Sequence, residues 1–209
     1  MYVPAHFAET RPEEIAAIIE AAPLACVVAA TSCGLIANHI PLLVAPDGTL
    51  IGHAALANDM HRDIAEGQEV LAVFRGDNAF VSPNFYPSKR EHHQHVPTWN
   101  YEAVHIHGHI SFQHDSQSKR AAVGLLTRLH ERRLNGTAAW RMADAPADYI
   151  DRMLANIVAF RIAVTRTLAK SKLSQNREER DLRGAVEGVR AEGAAALAAR
   201  MERNLTGKA

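Results

Sequence analysis

Hydrophobic and polar residues alternate along much of the chain, as they do in β-strands with one buried face. The run over 99–112 shows this most clearly, since Val104, Ile106 and Ile110 fall on one side of it. Pro46-Asp47-Gly48 is a typical turn sequence between two such runs, so we expect a hairpin there. In all, the pattern predicts strands over 24–30, 35–44, 49–55, 70–74, 79–82, 99–112 and 157–164.

Apolar residues at helical spacing predict helices over 11–22, 58–66, 116–133, 146–156 and 178–204. Thr10 and Glu13 fit a capping box, and Asn58 fits the N-cap of the second helix. The last helix has balanced charges, which favours a surface or dimer-capping helix appended to a single domain over 1–209. Because hairpins and loops, not regular crossover helices, join the strands, we expect a mainly β, α+β fold: an antiparallel barrel with peripheral helices.

The charge balance and the lack of long apolar runs exclude some classes of partner. Lys+Arg and Asp+Glu both number 23, so no overall positive field favours binding to DNA. No apolar run approaches the roughly 20 residues that span a bilayer, and the first residues lack the pattern of a signal peptide. Cys26 and Cys33 in an apolar stretch are typical of buried thiols in a cytosolic protein. We therefore expect a cytoplasmic protein without a membrane partner.

The 12 histidines raise the question of a metal site. Neighbours on one strand face lie roughly 6–7 Å apart, whereas zinc holds its ligand nitrogens at about 2.0–2.1 Å. Three strand histidines in a row therefore fit one ion poorly, whereas two of them with a loop histidine could bind one. We predict a polar strand face, a solvated loop and no metal. The residues concerned are His92, His93 and His95 in the loop and His105, His107 and His109 on the strand.

Two polar segments leave alternatives open, and no residue fits a catalytic role by spacing. Lys170–Arg177, KSKLSQNR, suits an anion at a helix N-terminus, or is a polar turn capped by Ser174 or Asn176. Pro97–Gly108, PTWNYEAVHIHG, places aromatic and amide groups where they could stack on a planar ring, or where they simply cover the barrel end.

Several motifs, in order along almost the whole chain, resemble the PaiB family, described as FMN-binding negative transcriptional regulators. They are MYVPAHF (1–7), NHIPLLV (38–44), GHAALAN (52–58), FRGDNAFVSPNFYPSK (74–89), VPTWNYEAVHIHG (96–108) and KSKLSQNR (170–177). The resemblance implies a split β-barrel related to flavin reductases and pyridoxamine phosphate oxidases. It also implies a homodimer with the flavin, FMN, in the groove between the subunits.

The resemblance also implies the residues of the cofactor site. His53 and Asn58 of GHAALAN would approach the phosphate or ribityl chain of FMN. Leu56 stands where the family usually has Arg, which removes a charge-assisted bond of about 1.5–3 kcal/mol if that Arg holds the phosphate. His61 and Arg62 are candidates to compensate. The same groove would be lined by Trp99, Asn100, Lys172, Gln175, Asn176 and Arg177.

Three functions follow as hypotheses. The first is a dimeric FMN-binding regulator of transcription, although the neutral charge does not support direct DNA binding. The second is a flavin-dependent oxidoreductase, or a haem-handling relative, that acts on a small molecule. The third is a small-molecule binding module that has lost its cofactor.

Overall fold

The computed structural model describes residues 1–206, in which eight strands and seven α-helices occur. The strands are β1 (Ala8–Glu9), β2 (Leu24–Thr31), β3 (Gly34–Pro41), β4 (Leu43–Val44), β5 (Leu50–Ala55), β6 (Glu69–Val81), β7 (Thr98–Gln113) and β8 (Ile157–Lys172). The helices are α1 (Pro12–Ala21), α2 (Met60–Asp63), α3 (Lys89–His92), α4 (Ser116–Asn135), α5 (Ala147–Ala155), α6 (Glu179–Ala191) and α7 (Ala195–Thr206). None of these helices is both long and apolar enough to cross a membrane.

The strands form one antiparallel sheet in the order β3-β2-β6-β7-β8-β5-β4, with β1 paired to β8. The predicted hairpin is present: β4 and β5 pair through a turn in which Gly48 has φ 81°. The sheet also curls. Asn58, just after β5, donates to Asn38 of β3 at 2.8 Å, although β3 and β5 lie near opposite ends of the strand order. This curling is the behaviour of a barrel. The strand pairing confirms that the strands are antiparallel, as predicted.

The chain divides into two compact units, and β6, β7 and β8 each contribute residues to both. Unit 1 contains residues 1–22, 74–105 and the described residues from 168 onward. Unit 2 contains residues 23–73 and 106–167. The prediction of one domain over 1–209 stays a prediction.

Unit 1 has a core in which α6 and α7 bury their apolar faces. The turn after β6 supplies Phe85, and two glycines of α6 make room for it: a Cβ at Gly184 would lie 2.1 Å from the Phe85 oxygen, and one at Gly188 2.3 Å from its ring. Both helices are therefore core elements of this unit, not surface elements. The buried core residues are Val81, Tyr86, Leu173, Leu182, Ala185, Val186, Val189, Leu197, Ala198 and Met201.

Unit 2 is built around the paired strands β2 and β3 and the pair β5 and β8. Ala25, Val27 and Ala29 alternate as buried residues along β2, as the period of two predicts. Gly52 of β5 lies against Leu42 and Phe160, where a Cβ would approach within 2.6 Å of each side chain. This close approach fixes how β5 lies in the sheet, and β5 carries part of the predicted site.

Two strands are longer than the hydrophobic pattern predicts. β6 is continuous over Glu69–Val81, where two strands were expected, because the polar residues between them still pair in the sheet. β8 continues to Lys172, eight residues beyond the predicted end at Val164. Polar residues such as Thr165 and Arg166 hide this extension from a pattern based on hydrophobicity, since they are exposed.

Several helix predictions also need correction. The helix expected over 178–204 is two helices, because Gly193 with φ 89° ends the first of them. The N-cap of α1 is Arg11, not Thr10, and Glu9 accepts the Arg11 N–H at 3.0 Å in place of a capping box. The helix expected over 58–66 is the single turn α2, capped at Asp59, although the Asn58 side chain still accepts the Met60 N–H at 3.0 Å.

Candidate functional site

The predicted site residues fall into two groups. His53, Asn58 and His61 lie together in unit 2, on β5 and on the turn that follows it. The other six lie in unit 1, at the start of β7, at the end of β8 and in the turn after β8: Trp99, Asn100, Lys172, Gln175, Asn176 and Arg177.

His53 is the central residue of the group in unit 2. It lies on β5 opposite Ala159 of β8, and its side chain is partly buried. Its Nδ1 atom is buried and has no hydrogen-bond partner among the described residues. Burial lowers the pKa of the imidazole, which favours a neutral ring at neutral pH. The ring therefore offers an unused hydrogen-bonding atom without a charge.

Asn58 and His61 hold the chain after β5 in a compact turn. The Asn58 amide group donates to Asn38 Oδ1 at 2.8 Å. His61 Nε2 lies 3.0 Å from the carbonyl oxygen of Leu56, so this nitrogen donates to it. The nearby guanidinium of Arg62 forms an exposed ion pair with Asp59 at 2.6 Å. Since the Arg62 charge is paired with Asp59, the amide and imidazole groups of this turn suit hydroxyls or a ring edge better than a phosphate.

Asn100 connects β7 to the turn after β8 in unit 1. It is fully buried, and its amide nitrogen donates to Ser174 Oγ at 2.8 Å. Ser174 has φ 62°, a conformation that is uncommon outside glycine, and this hydrogen bond helps to hold it. The Asn100 Oδ1 atom is buried and has no partner in the described part of the chain. Beside it in sequence, Trp99 is 53% exposed and its ring lies 6.0 Å from that of Phe80.

Gln175 is occupied in holding the same turn. Its Oε1 accepts the Leu173 N–H at 2.7 Å, and its Nε2 donates to the carbonyl oxygens of Ser171 at 2.6 Å and His6 at 3.1 Å. Asn176 is exposed to solvent. Arg177 lies over the ring of buried Tyr86, with 5.0 Å from its guanidinium carbon to the ring centre. Of this turn, Arg177 is the residue that brings a positive charge.

Lys172 lies on β8 itself and not at a helix start, so it does not belong to the helix N-terminus that one of the two alternatives invoked. The first turn of α6 carries Glu179 and Asp181, whose charge disfavours an anion there. Lys172 donates to Thr98 Oγ1. Two positions earlier on the same strand face is Lys170, which belongs to the KSKLSQNR motif but is not among the groove residues that the resemblance implies. An i, i+2 pair of lysines in KSK is the signal that could have identified it.

The histidines considered for metal binding take part in hydrogen bonds and ring contacts. His95 Nε2 lies 2.7 Å from Ser88 Oγ, and Ser88 in turn donates to Asp181 Oδ2 at 2.6 Å. His107 lies 3.5 Å from Glu69, and His109 Nδ1 lies 3.0 Å from the Gly67 oxygen. Within residues 1–206, no three His, Cys, Asp or Glu side chains form a group that could hold a metal ion.

A curled antiparallel sheet with aromatic, amide and cationic groups at its strand ends defines an antiparallel split barrel, the expected fold class. Residues 1–166 match the family model described as "Putative FMN-binding domain". A relative from Bacillus subtilis (strain 168), "Protease synthase and sporulation protein PAI 2", is 31% identical over 195 residues, which are 92% of this chain and 90% of the relative. The chain belongs to this family of FMN-binding domains, the PaiB family.

Solved structures share the fold at low sequence identity. The FAD and haem binding protein of Mycobacterium smegmatis is 18% identical with a TM-score of 0.59, over 79% of this chain and 73% of that one. A flavocytochrome of Azotobacter vinelandii is 14% identical with a TM-score of 0.57, over 81% and 72% of the two chains. At these identities the likeness concerns the fold alone.

Proposed function

We propose that this protein is a PaiB-type flavoprotein that binds FMN. The observation that carries the proposal is the match of residues 1–166 to a family of FMN-binding domains. The 31% identity to a PaiB relative over 92% of the chain supports it. The unused polar atoms of buried Asn100 and partly buried His53 support it further, because a buried polar atom without a partner is costly unless a ligand satisfies it.

The residues of unit 2 suit the uncharged parts of the cofactor. His53, Asn58 and His61 offer imidazole and amide groups, which can exchange hydrogen bonds with ribityl hydroxyls or with the edge of the flavin ring. Leu56 brings no charge, so the phosphate of FMN needs its cations from elsewhere in the protein.

The residues of unit 1 suit the phosphate of FMN and its planar flavin ring. Lys172 and Arg177 supply positive charge, and the exposed ring of Trp99 offers a surface for stacking. Gln175 and Asn100 hold the turn that carries Arg177, and Asn176 lies beside it on the exposed side. In this proposal the FMN-binding residues are those that the family resemblance implied, with Gln175 in a positioning role.

The protein is proposed to work as a homodimer in the cytoplasm. Each unit exposes large apolar side chains that a second copy could cover, including Trp99 and Phe80 in unit 1 and Leu35 and Leu134 in unit 2. Negative control of transcription is the first hypothesis for its biological role. Oxidation of NAD(P)H with added FMN would favour the oxidoreductase hypothesis instead.

The proposal is tested by titrating FMN with the purified protein while flavin fluorescence is recorded. Binding in a pocket with aromatic side chains should quench or shift the fluorescence to a saturating limit, whereas the heat-unfolded protein should leave it unchanged. A fluorescence signal that stays equal to that of free FMN throughout the titration would overturn the proposal.

A further inference from the structure

Three cationic side chains lie together at the end of β8 and in the turn after it. We call Lys170, Lys172 and Arg177 the cation cluster. All three belong to unit 1, and all three lie beyond residue 166, where the match to the FMN-binding family ends. The family model does not extend to them; the resemblance places Lys172 and Arg177 in the cofactor groove but gives no role to Lys170.

Lys170 is a buried lysine surrounded by aromatic rings. It is 6% exposed, and its Nζ atom lies 5.1 Å from the ring centre of Tyr101, 5.6 Å from that of Tyr2 and 5.9 Å from that of Phe7. Its hydrogen bond goes to the carbonyl oxygen of Tyr2 at 3.3 Å. The rings stabilise the ammonium through cation–π contacts but leave its charge without a counter-ion.

Lys172 lies two positions after Lys170 on β8 and contacts one of the same aromatic rings. Its Nζ atom donates to Thr98 Oγ1 and lies 5.9 Å from the Phe7 ring centre. Burial lowers the pKa of this ammonium, and the charges of Lys170 and Arg177 lower it further, while Tyr101 acts in the opposite direction. Arg177 is thus close enough to affect Lys172, although it packs on Tyr86.

The carboxylates near the cluster are engaged with other residues. Glu9 lies on β1 opposite Ala169, the residue before Lys170, but it binds the Arg11 guanidinium at 2.6 Å. Glu102 is buried, accepts a hydrogen bond from Ser171 and forms an ion pair with Arg200. In residues 1–206 neither Lys170 nor Lys172 has an acidic side chain within ion-pair distance. Like charges held together in this way destabilise the ligand-free protein, which a bound anion would reverse.

We infer that the cation cluster binds the phosphate group of a phosphomonoester. Three cations match a doubly charged anion better than a carboxylate, which carries a single charge. A guanidinium beside two ammonium groups can also surround the phosphate oxygens. The Thr98 hydroxyl lies at the same place and adds a further hydrogen-bonding group. Two sources share this chemistry: the phosphate of FMN, for which the inference rests on the proposed function, and a separate phosphorylated metabolite, for which it does not.

The first experiment uses inorganic phosphate and records thermal unfolding of the whole protein. Phosphate should raise the melting temperature of the wild type, since a ligand that binds only the folded state stabilises it. In Lys172→Met phosphate binding should weaken by about tenfold or more, the usual effect of losing one charge-assisted hydrogen bond. Lys89→Met, in the same unit but bonded to Asn84, is the matched control and should respond like the wild type. An equal phosphate response in Lys172→Met would overturn the inference, and Arg177→Met repeats the test independently.

The second experiment compares FMN with riboflavin, which lacks the phosphate. If the phosphate source is FMN, the wild type should bind FMN at least about tenfold more tightly than riboflavin, and Lys172→Met should lose this preference. Phosphate stabilisation that depends on Lys172, with no binding of either flavin, would support the cation cluster and refute the proposed function. Equal binding of both flavins, with no response to phosphate, would support the proposed function and refute the cation cluster.

Discussion

Burial shifts the pKa of acidic and basic side chains of this protein in opposite directions. It raises the pKa of the Glu102 carboxyl, against the effect of Arg200, and lowers the pKa of Lys172 and of His53. In each case the interior disfavours the charged form. For Glu102 an ion pair offsets that cost, whereas His53 is left with a buried nitrogen that forms no hydrogen bond in the described residues.

The environment of His53 predicts a loss of stability in acid. Its pKa in the folded protein lies below the ordinary value of 6.5, so the unfolded chain binds more protons once the pH falls through that value. The free energy of unfolding should therefore decrease as the pH is lowered below about 6.5. In His53→Gln this decrease should be smaller. Urea unfolding of both proteins at neutral pH and at pH values below 6.5 measures how far the free energy of unfolding falls in each. An equal decrease in the two proteins would contradict the prediction.

A substitution at Leu56 tests the cofactor site by an expected increase in FMN affinity. Leu56→Arg restores the residue that the family usually carries, and should strengthen FMN binding by about 10- to 100-fold if that guanidinium pairs with the phosphate. Leu56→Gln has a polar side chain without the charge and should bind FMN like the wild type. Fluorescence titration measures the FMN affinity of the three proteins. Equal affinities would show that the side chain at this position does not contact the phosphate.

At the residue scale, the sequence and the family resemblance predicted the site residues, and their role in binding stays a prediction. Trp99, Asn100, Lys172 and Arg177 stand in two dense polar motifs that carry the resemblance. The contact of Lys170 with aromatic rings was missed, because the rings come from Tyr2, Phe7 and Tyr101, which only the fold brings to one place. No local pattern shows a contact between residues that are 69 or more positions apart.

At the scale of elements, α6 is positioned by close contact with Phe85. A methyl group at Gly184 would lie 2.1 Å from the Phe85 oxygen and 2.9 Å from Pro87, so the backbone would have to shift. Gly184→Ala should therefore destabilise the protein, by about 1–3 kcal/mol as in other overpacked cores, despite the better helix propensity of alanine. Chemical denaturation measures this change in the free energy of unfolding.

The matched control for this substitution is Gly124→Ala in α4, where the nearest atom to the new methyl group would be the Met142 sulfur at 3.7 Å, an ordinary contact. This variant should be as stable as the wild type or gain up to about 1 kcal/mol from helix propensity. If both variants changed stability in the same direction and by the same amount, close packing against Phe85 would not explain the effect.

The hydrophobic pattern predicted most elements but not their ends. β7 was predicted well because it has a continuous alternating face. β8 was cut short at Val164, because the residues that follow it directly, Thr165, Arg166 and Thr167, are polar and exposed. The last helix was predicted as one, since alanine and arginine favour helix on both sides of Gly193, and only the backbone angle at that glycine shows the break.

At the scale of the whole molecule, the order of strands along the chain predicted an antiparallel barrel, and the observed pairing confirms it. An assembly could not be predicted from patterns within one chain, because a surface that a second copy would cover looks like any exposed apolar surface. The homodimer in this account comes from the family resemblance.

The proposed homodimer predicts a solution mass of twice the 22.9 kDa chain. Sedimentation equilibrium over a range of concentrations measures this mass directly. Phe80→Glu, which places a charge in the exposed ring pair with Trp99, should shift the equilibrium toward the monomer if this pair lies in the interface. A mass of one chain at all concentrations would contradict the dimer.

The central claim is that the protein holds FMN as a cofactor. The most direct measurement is the visible absorbance of the protein after it has been saturated with FMN and passed through a gel-filtration column. The account predicts that flavin absorbance elutes with the protein in a ratio close to one FMN for each chain. Elution of all the flavin in the small-molecule fraction, with a colourless folded protein ahead of it, would contradict the account.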